Sequence, residues 1–243
     1  MKRTSLFAVS ALLLLGAACS DRRSLLDGDK PLAVRMIESE IARHPSPATL
    51  DGIAPGKIKW NYTSGLELLA FIDAGEVYDR PDFYDYALRY YDTIVRPDAS
   101  VITYRKDKYN LDHVCPGRPL FIIAERTGEA RYAQVLDTLF SQLQEHPRND
   151  DGGFWHKQVY PHQMWLDGLY MAEPFYAEYA VRKLGESEEF DRLKADIVSQ
   201  FVLVAGHTFD PATGLYRHAC DVSRKQFWCD KATGQTPHAW GRA

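Results

Sequence analysis

Apolar positions along this chain recur at helical spacing rather than in alternation, and one arrangement of them is repeated three times. Each unit has an apolar, helix-like stretch, a glycine, a short acidic turn, and then an amphipathic stretch bearing aromatic residues. The units are 62–75 followed by 83–95, 116–128 followed by 131–143, and 165–185 followed by 190–204. In the second, Leu120, Ile123 and Ala124 fall on one helical face, as do Tyr132, Val135, Leu136 and Leu139. The leading glycines, Gly65, Gly117 and Gly168, stand 52 and 51 residues apart. Gly75, Gly128 and Gly185 occupy places where a helix C-terminus takes a left-handed residue. Period-two alternation is scarce, so long strands are not expected.

Repeated helical hairpins build either an open α-solenoid or a closed α/α toroid. The first helix of each pair is almost wholly apolar and the second amphipathic, which favours an inner ring of buried helices enclosed by an outer one. The fold expected is therefore all-α. Two strong turns, Asn149-Asp150-Asp151-Gly152-Gly153 and Asp210-Pro211-Ala212-Thr213-Gly214, lead into Trp-, His- and Asp-rich loops, where a ring of helices would carry a site. No interdomain linker interrupts 30–243.

Composition narrows the class. With 243 residues and a net charge of −4, the chain is of globular size, and its mildly acidic balance argues against nucleic acid as a partner. Met1-Lys2-Arg3, an apolar run from Leu6 to Leu15 and the small residues before Cys19 read as a secretory signal over 1–19. The segment resembles a bacterial lipobox. Cys19 would then be the lipidated mature N-terminus of an exported protein, periplasmic or anchored at the outer membrane. Gly16 departs from the usual aliphatic residue, which leaves ordinary signal cleavage as the alternative. Cys115 reads as a small packing residue, and Cys220 and Cys229 are close enough in sequence to pair in an oxidising compartment. No metal-ligand spacing, phosphate-binding glycine loop or nucleophile elbow occurs, and neither a metal nor another cofactor is expected.

The candidate chemistry lies in GGFWHKQVYPHQMWLDGLYM, residues 152–171, where His156 and Asp167 are interleaved with Trp155, Tyr160, Trp165 and Tyr170. Asp167 has two readings. Either its carboxylate caps the helix that follows, or apolar surroundings keep it protonated as a general acid. A helix N-terminus favours the anion and opposes the second, so the local sequence leaves the choice open. Asp112, in YNLDHVCPGRP, sits just before the second inner helix, and two carboxylates at neighbouring helix entrances can divide acid and base roles. The alternative is a pair of solvated turn aspartates. His156 and His218 can donate hydrogen bonds or bind a carboxylate. Trp60, Trp155, Trp165 and Trp240 offer stacking faces for a sugar ring, or else simply pack the core.

The stretch DGGFWHKQVYPHQMWLDGLYMAEPF (151–175) closely resembles the signature of glycoside hydrolase family 105, the unsaturated rhamnogalacturonyl hydrolases, which are related to the family 88 unsaturated glucuronyl hydrolases. LDHVCPGRPLF (111–121), PHAWGRA (237–243) and WNYTSGLELLA (60–70) extend the likeness from about residue 30 to residue 243. The resemblance implies an (α/α)6 six-hairpin barrel. It also implies removal of a 4,5-unsaturated uronic acid from the non-reducing end of lyase-generated pectin oligosaccharides, of rhamnogalacturonan type. It makes Asp167 the general acid/base and Asp112 the second carboxylate, with His156, Trp165, His218, Arg242, Trp60 and Trp240 around the substrate. The implied partner is the unsaturated uronyl oligosaccharide, with no protein partner. The chain supplies only about three and a half of the six hairpins, so a partial barrel is expected. A noncatalytic carbohydrate-binding toroid and an inactive enzyme fragment are the competing readings.

Overall fold

The computed structural model describes residues 30–239, which fall into two compact units divided between Arg43 and His44. In the first unit the described residues form one helix, α1 (Leu32–Arg43), with Lys30 Nζ 2.8 Å from Glu38. Cys19 and the signal segment lie outside the described residues, as do Trp240 and Arg242.

The second unit holds three helical hairpins: α2 (Tyr62–Val77) with α3 (Pro81–Ile94), α4 (Arg118–Thr127) with α5 (Ala130–Gln144), and α6 (Gly168–Tyr179) with α7 (Glu188–Thr208). The first helices pack on one another in succession, α2 on α4 and α4 on α6, as an inner row requires. On α3 the buried positions Phe83, Tyr86, Ala87, Tyr90, Tyr91 and Ile94 keep the i, i+3, i+4 spacing of one helical face. Their hydroxyls are tied down, Tyr90 donating to Lys59 O at 2.6 Å and Tyr91 to Pro116 O at 2.8 Å. Phe140 and Tyr179 stack at 4.0 Å between α5 and α6. Each such ring contributes about 1.5–3 kcal/mol by leaving water.

The repeated glycines have a steric reason. A Cβ on Gly65 would stand 2.5 Å from Pro116 Cα, and one on Gly117 2.4 Å from Leu139 Cδ1 and 2.9 Å from the Phe175 ring. Neighbouring segments approach the starts of the inner helices at these points at a distance only glycine allows. Gly128 ends α4 at φ +68, with its N–H on Ala124 O at 3.0 Å, as expected. Gly75 departs from expectation. It lies within α2 and its carbonyl accepts from Arg80 N–H at 2.8 Å, while Asp79 takes the left-handed place at φ 52. The motif is a Schellman closure with aspartate standing in for glycine.

Two further expectations change in detail. Trp165 precedes the third inner helix instead of opening it, and the helix starts at Gly168. The apolar–amphipathic contrast between partners is weak in the second hairpin, because α4 carries Arg118, Glu125 and Arg126. Strands are short, as expected: β1 (Gln163–Trp165) pairs antiparallel with β4 (Ala219–Asp221), and β2 (Phe209–Asp210) with β3 (Leu215–Tyr216) around the turn at Asp210.

Candidate active site

The site is built where five chain segments lie side by side. Leu111 N–H donates to His156 O at 3.1 Å, and His156 N–H to Gln163 O at 2.8 Å. β1 then pairs with β4 so that Trp165 faces Ala219, and Leu166 N–H donates to His218 O at 2.9 Å. His218 N–H donates in turn to His238 O at 2.9 Å. The ladder takes one chemistry-bearing residue from each segment, Asp112, His156, Trp165, His218 and His238, although they span more than half the chain. Gln200 on α7 braces it from behind, its Oε1 accepting from Phe154 N–H at 2.9 Å and its Nε2 donating to Gly152 O at 3.0 Å.

Asp112 sits in a turn whose own N–H is capped by Asn110 Oδ1 at 3.0 Å. Its carboxylate receives His156 Nε2 at 3.1 Å and Lys157 Nζ at 2.5 Å. Burial pushes the pKa of such a group up, but the hydrogen bonds and positive charge of His156 and Lys157 outweigh that and pull it down to about 2. Asp112 is thus an anion held by two cation-forming neighbours.

Asp167 immediately precedes α6, at φ −69 and ψ −18, and its side chain makes no capping hydrogen bond. The capping reading therefore fails on geometry, because a residue already in the helical region does not turn its carboxylate back onto the helix N–H groups. Its Oδ1 is buried without a hydrogen-bond partner. The neighbouring Gly168 lies against His156, where a Cβ would come within 3.0 Å of Nδ1. His218 feels the Asp167 charge: burial lowers its pKa, and Asp167 partly offsets the shift.

Aromatic faces line the same place. Trp165 is stacked with His156 (5.2 Å, 16°) and with Tyr160 (5.8 Å, 12°), and His218 is edge-on at 5.2 Å. Its Nε1 is anchored on Gln163 Oε1 at 3.1 Å. A cleft of about 230 Å³ with mostly apolar walls opens beside it, bounded by Trp165, His218, Trp228, Pro237 and His238. Lys157, Trp228 and His238 were not singled out from sequence; the aromatic pair Phe227-Trp228 between charged flanks in RKQFWCDK was the available signal for Trp228.

The structure brings together Asp112, His156, Trp165 and His218, with Asp167 beside His218. Trp60 does not join them. It is 0 % exposed, edge-packed on Tyr91 and Tyr104, with Nε1 donating to His113 O at 2.7 Å, so it is a core residue and offers no face to a sugar. Cys220 and Cys229 are buried free thiols, as is Cys115. Among the described residues no group of three or more His, Cys, Asp or Glu is gathered as metal ligands would be.

Stacked helical hairpins with two carboxylates, histidines and an aromatic platform on the loops before their inner helices define the α/α-barrel class of carbohydrate-active proteins. Residues 32–243 match the model for Glycosyl Hydrolase Family 88, and the chain belongs to that family. It is similar to a family 105 glycoside hydrolase of C. acetobutylicum ATCC 824, with 34 % identity and a TM-score of 0.76, over 88 % of this chain and 55 % of that one. A possible family 105 member from Klebsiella pneumoniae subsp. pneumoniae MGH 78578 shares the fold at 22 % identity and a TM-score of 0.58, over 70 % of this chain and 42 % of that one. Protein Atu3128 of Agrobacterium fabrum is 38 % identical over 73 residues, 30 % of this chain and 29 % of its own length. The chain thus spans about half or less of these solved relatives and under a third of the curated one.

Proposed function

We propose that the chain carries the acid-bearing part of a glycoside hydrolase that removes a 4,5-unsaturated uronic acid from the non-reducing end of lyase-generated, rhamnogalacturonan-type oligosaccharides. The observation that carries this reading is Asp167, a carboxyl relieved of any capping role, with one buried oxygen unpartnered within the chain and set beside the Trp165 platform.

The chemistry follows from the substrate's vinyl ether. Asp167 gives its proton to C4, and the C4=C5 electron pair forms the new C–H bond, leaving oxocarbenium character shared between C5 and the ring oxygen. The Asp167 carboxylate then takes a proton from water as the water oxygen bonds to C5. The resulting hemiketal opens at its C5–ring-oxygen bond, and the hemiacetal this leaves at C1 releases the remaining sugar. This is hydration of a double bond, so the separation of the two carboxylates does not determine the stereochemical outcome as it does in direct displacement. Asp112, fixed as an anion, orients His156 and Lys157 and needs no nucleophilic role. The Trp165–Trp228 cleft has the walls a sugar ring stacks on. In this reading the chain works after export through its N-terminal segment, in the periplasm or anchored at the outer membrane through Cys19.

Incubation with lyase-generated oligosaccharides is expected to remove the ultraviolet absorbance of the conjugated double bond, and Asp167→Asn to reduce that rate by at least 10³-fold, within the usual ~10²–10⁴ contribution of a general acid. Activity retained in Asp167→Asn would overturn the acid assignment. Oligosaccharide binding with no absorbance loss would favour the noncatalytic carbohydrate-binding reading.

A further inference from the structure

Behind the aromatic platform lies a second cavity, of about 10 Å³, the room of a single water molecule. Four of its lining residues carry side-chain N–H, O–H or carboxyl groups: His156, Trp165, Glu173 and Gln200. Trp165 Nε1 is engaged with Gln163, and both ends of Gln200 are engaged with Phe154 N–H and Gly152 O. That leaves Glu173 Oε2 and His156 Nδ1, each buried with no hydrogen-bond partner within the chain. Glu173 is 3 % exposed and lies on α6, six residues after Asp167. Two residues that line one water-sized space each carry an orphan polar atom, and leaving either atom buried and unpaired is unfavourable, so an ordered bridge has both room and partners.

We propose that Glu173 and His156 Nδ1 are joined through a water held in this cavity, making Glu173 a positioning residue that keeps the Nε2 proton of His156 directed at Asp112. The groups around it agree with a protonated carboxyl. Burial pushes Glu173 up to about 8, the Asp196 charge on α7 adds to the rise, and Arg148 from the loop after α5 partly opposes it. Arg148 does not neutralise Glu173 because its guanidinium is paired with Asp196, at 2.7 and 2.6 Å. Tyr176, on the same helix, is the remaining titratable neighbour, and burial keeps its hydroxyl neutral. A protonated Glu173 brings a donor to the water, which then donates to Nδ1 and leaves Nε2–H for Asp112, 3.1 Å away. Once Glu173 ionises, the water loses the donor that fixed its orientation and turns one O–H to the carboxylate, and the new negative charge favours a proton on Nδ1. The inference holds whether or not the chain turns over a sugar, because its test needs no substrate.

The test is ¹⁵N NMR of imidazole-labelled full-length protein across pH 6–10, with His156 assigned by its loss in His156→Gln. The expected result is a His156 Nδ1 shift that inflects near pH 8 in the wild type and no longer does so in Glu173→Gln, whose amide keeps a donor in the cavity at every pH. An inflection that persists in Glu173→Gln, or no inflection in the wild type, overturns the proposal. If Glu173→Gln does not fold, infrared spectroscopy of the wild type decides instead. The band of a buried protonated carboxyl should vanish over the same pH interval as the Nδ1 shift, and a band absent or titrating elsewhere overturns it equally.

Discussion

Asp112 and Glu173 titrate in opposite senses because their surroundings offer the anion different things. Asp112 meets His156 and Lys157, and its pKa falls from 3.8 to about 2; Glu173 meets apolar side chains and an already paired Arg148, and rises from 4.5 to about 8. The consequences for stability carry opposite signs. The Asp112 contribution is fully present above about pH 4 and is lost as pH falls through 2; it amounts to about 2 kcal/mol. The Glu173 contribution is fully present below pH 4.5 and is lost as pH rises through 8. Urea titrations at a series of pH values should therefore show Asp112→Asn flattening the acid limb and Glu173→Gln flattening the alkaline one. Variant curves running parallel to the wild type on those limbs would mean that neighbouring groups, rather than these two, set the slopes.

At the scale of elements, α7 holds the loop that feeds the ladder through three side chains, Asp196 by way of Arg148, His207 on Asp151, and Gln200 directly on the backbone. Gln200 accepts from Phe154 N–H and also donates to Gly152 O, so it helps set the path of the loop that delivers His156. Gln200→Leu leaves the buried Phe154 N–H unsatisfied, while Gly152 O keeps its bond from Arg148, and should cost about 1–3 kcal/mol. Hydrogen exchange should rise over 152–156 while α3 keeps its protection; unchanged exchange there would show that β1 and β4 suffice to hold the loop. The hairpins themselves were legible in sequence, because glycines 52 and 51 residues apart mark where a neighbouring segment closely approaches the start of each inner helix, and a steric need of that kind leaves a periodic trace. The ladder was not legible. Strands of two or three residues are too short to show alternation, and pairings such as Trp165 with Ala219 join segments over fifty residues apart. Nor could the tryptophans be sorted from sequence: Trp60 and Trp165 both stand just ahead of inner helices, and only tertiary packing makes one a core residue and the other a platform. The capping ambiguity at Asp167 was of the same kind, since φ, ψ and side-chain direction decide it and composition does not.

At the scale of the whole molecule, the last helix keeps an apolar stripe in water. Val198, Phe201 and Val202 on α7 are 58, 50 and 64 % exposed, at the i, i+3, i+4 spacing that places them on one face. Phe209 and Leu215, on the strand pair that follows, are exposed as well. Scattered apolar residues on a surface need no explanation, but a contiguous helical stripe of this kind drives association. Concentration-dependent self-association is therefore expected for this 243-residue chain in sedimentation velocity. Its physical origin is separable from charge. Added salt screens ion pairs but does not weaken apolar contact, so raising ionic strength should leave the association intact or strengthen it. Replacing Val198 and Val202 with Lys and Phe201 with Glu should shift the chain toward the monomer without loss of helical circular dichroism, because these side chains lie on the solvent face and leave the buried Leu193, Gln200 and Val204 in place. A chain that sediments as a monomer at every concentration, or an association that disappears with salt while the triple variant still associates, would show that the stripe is not what brings copies together.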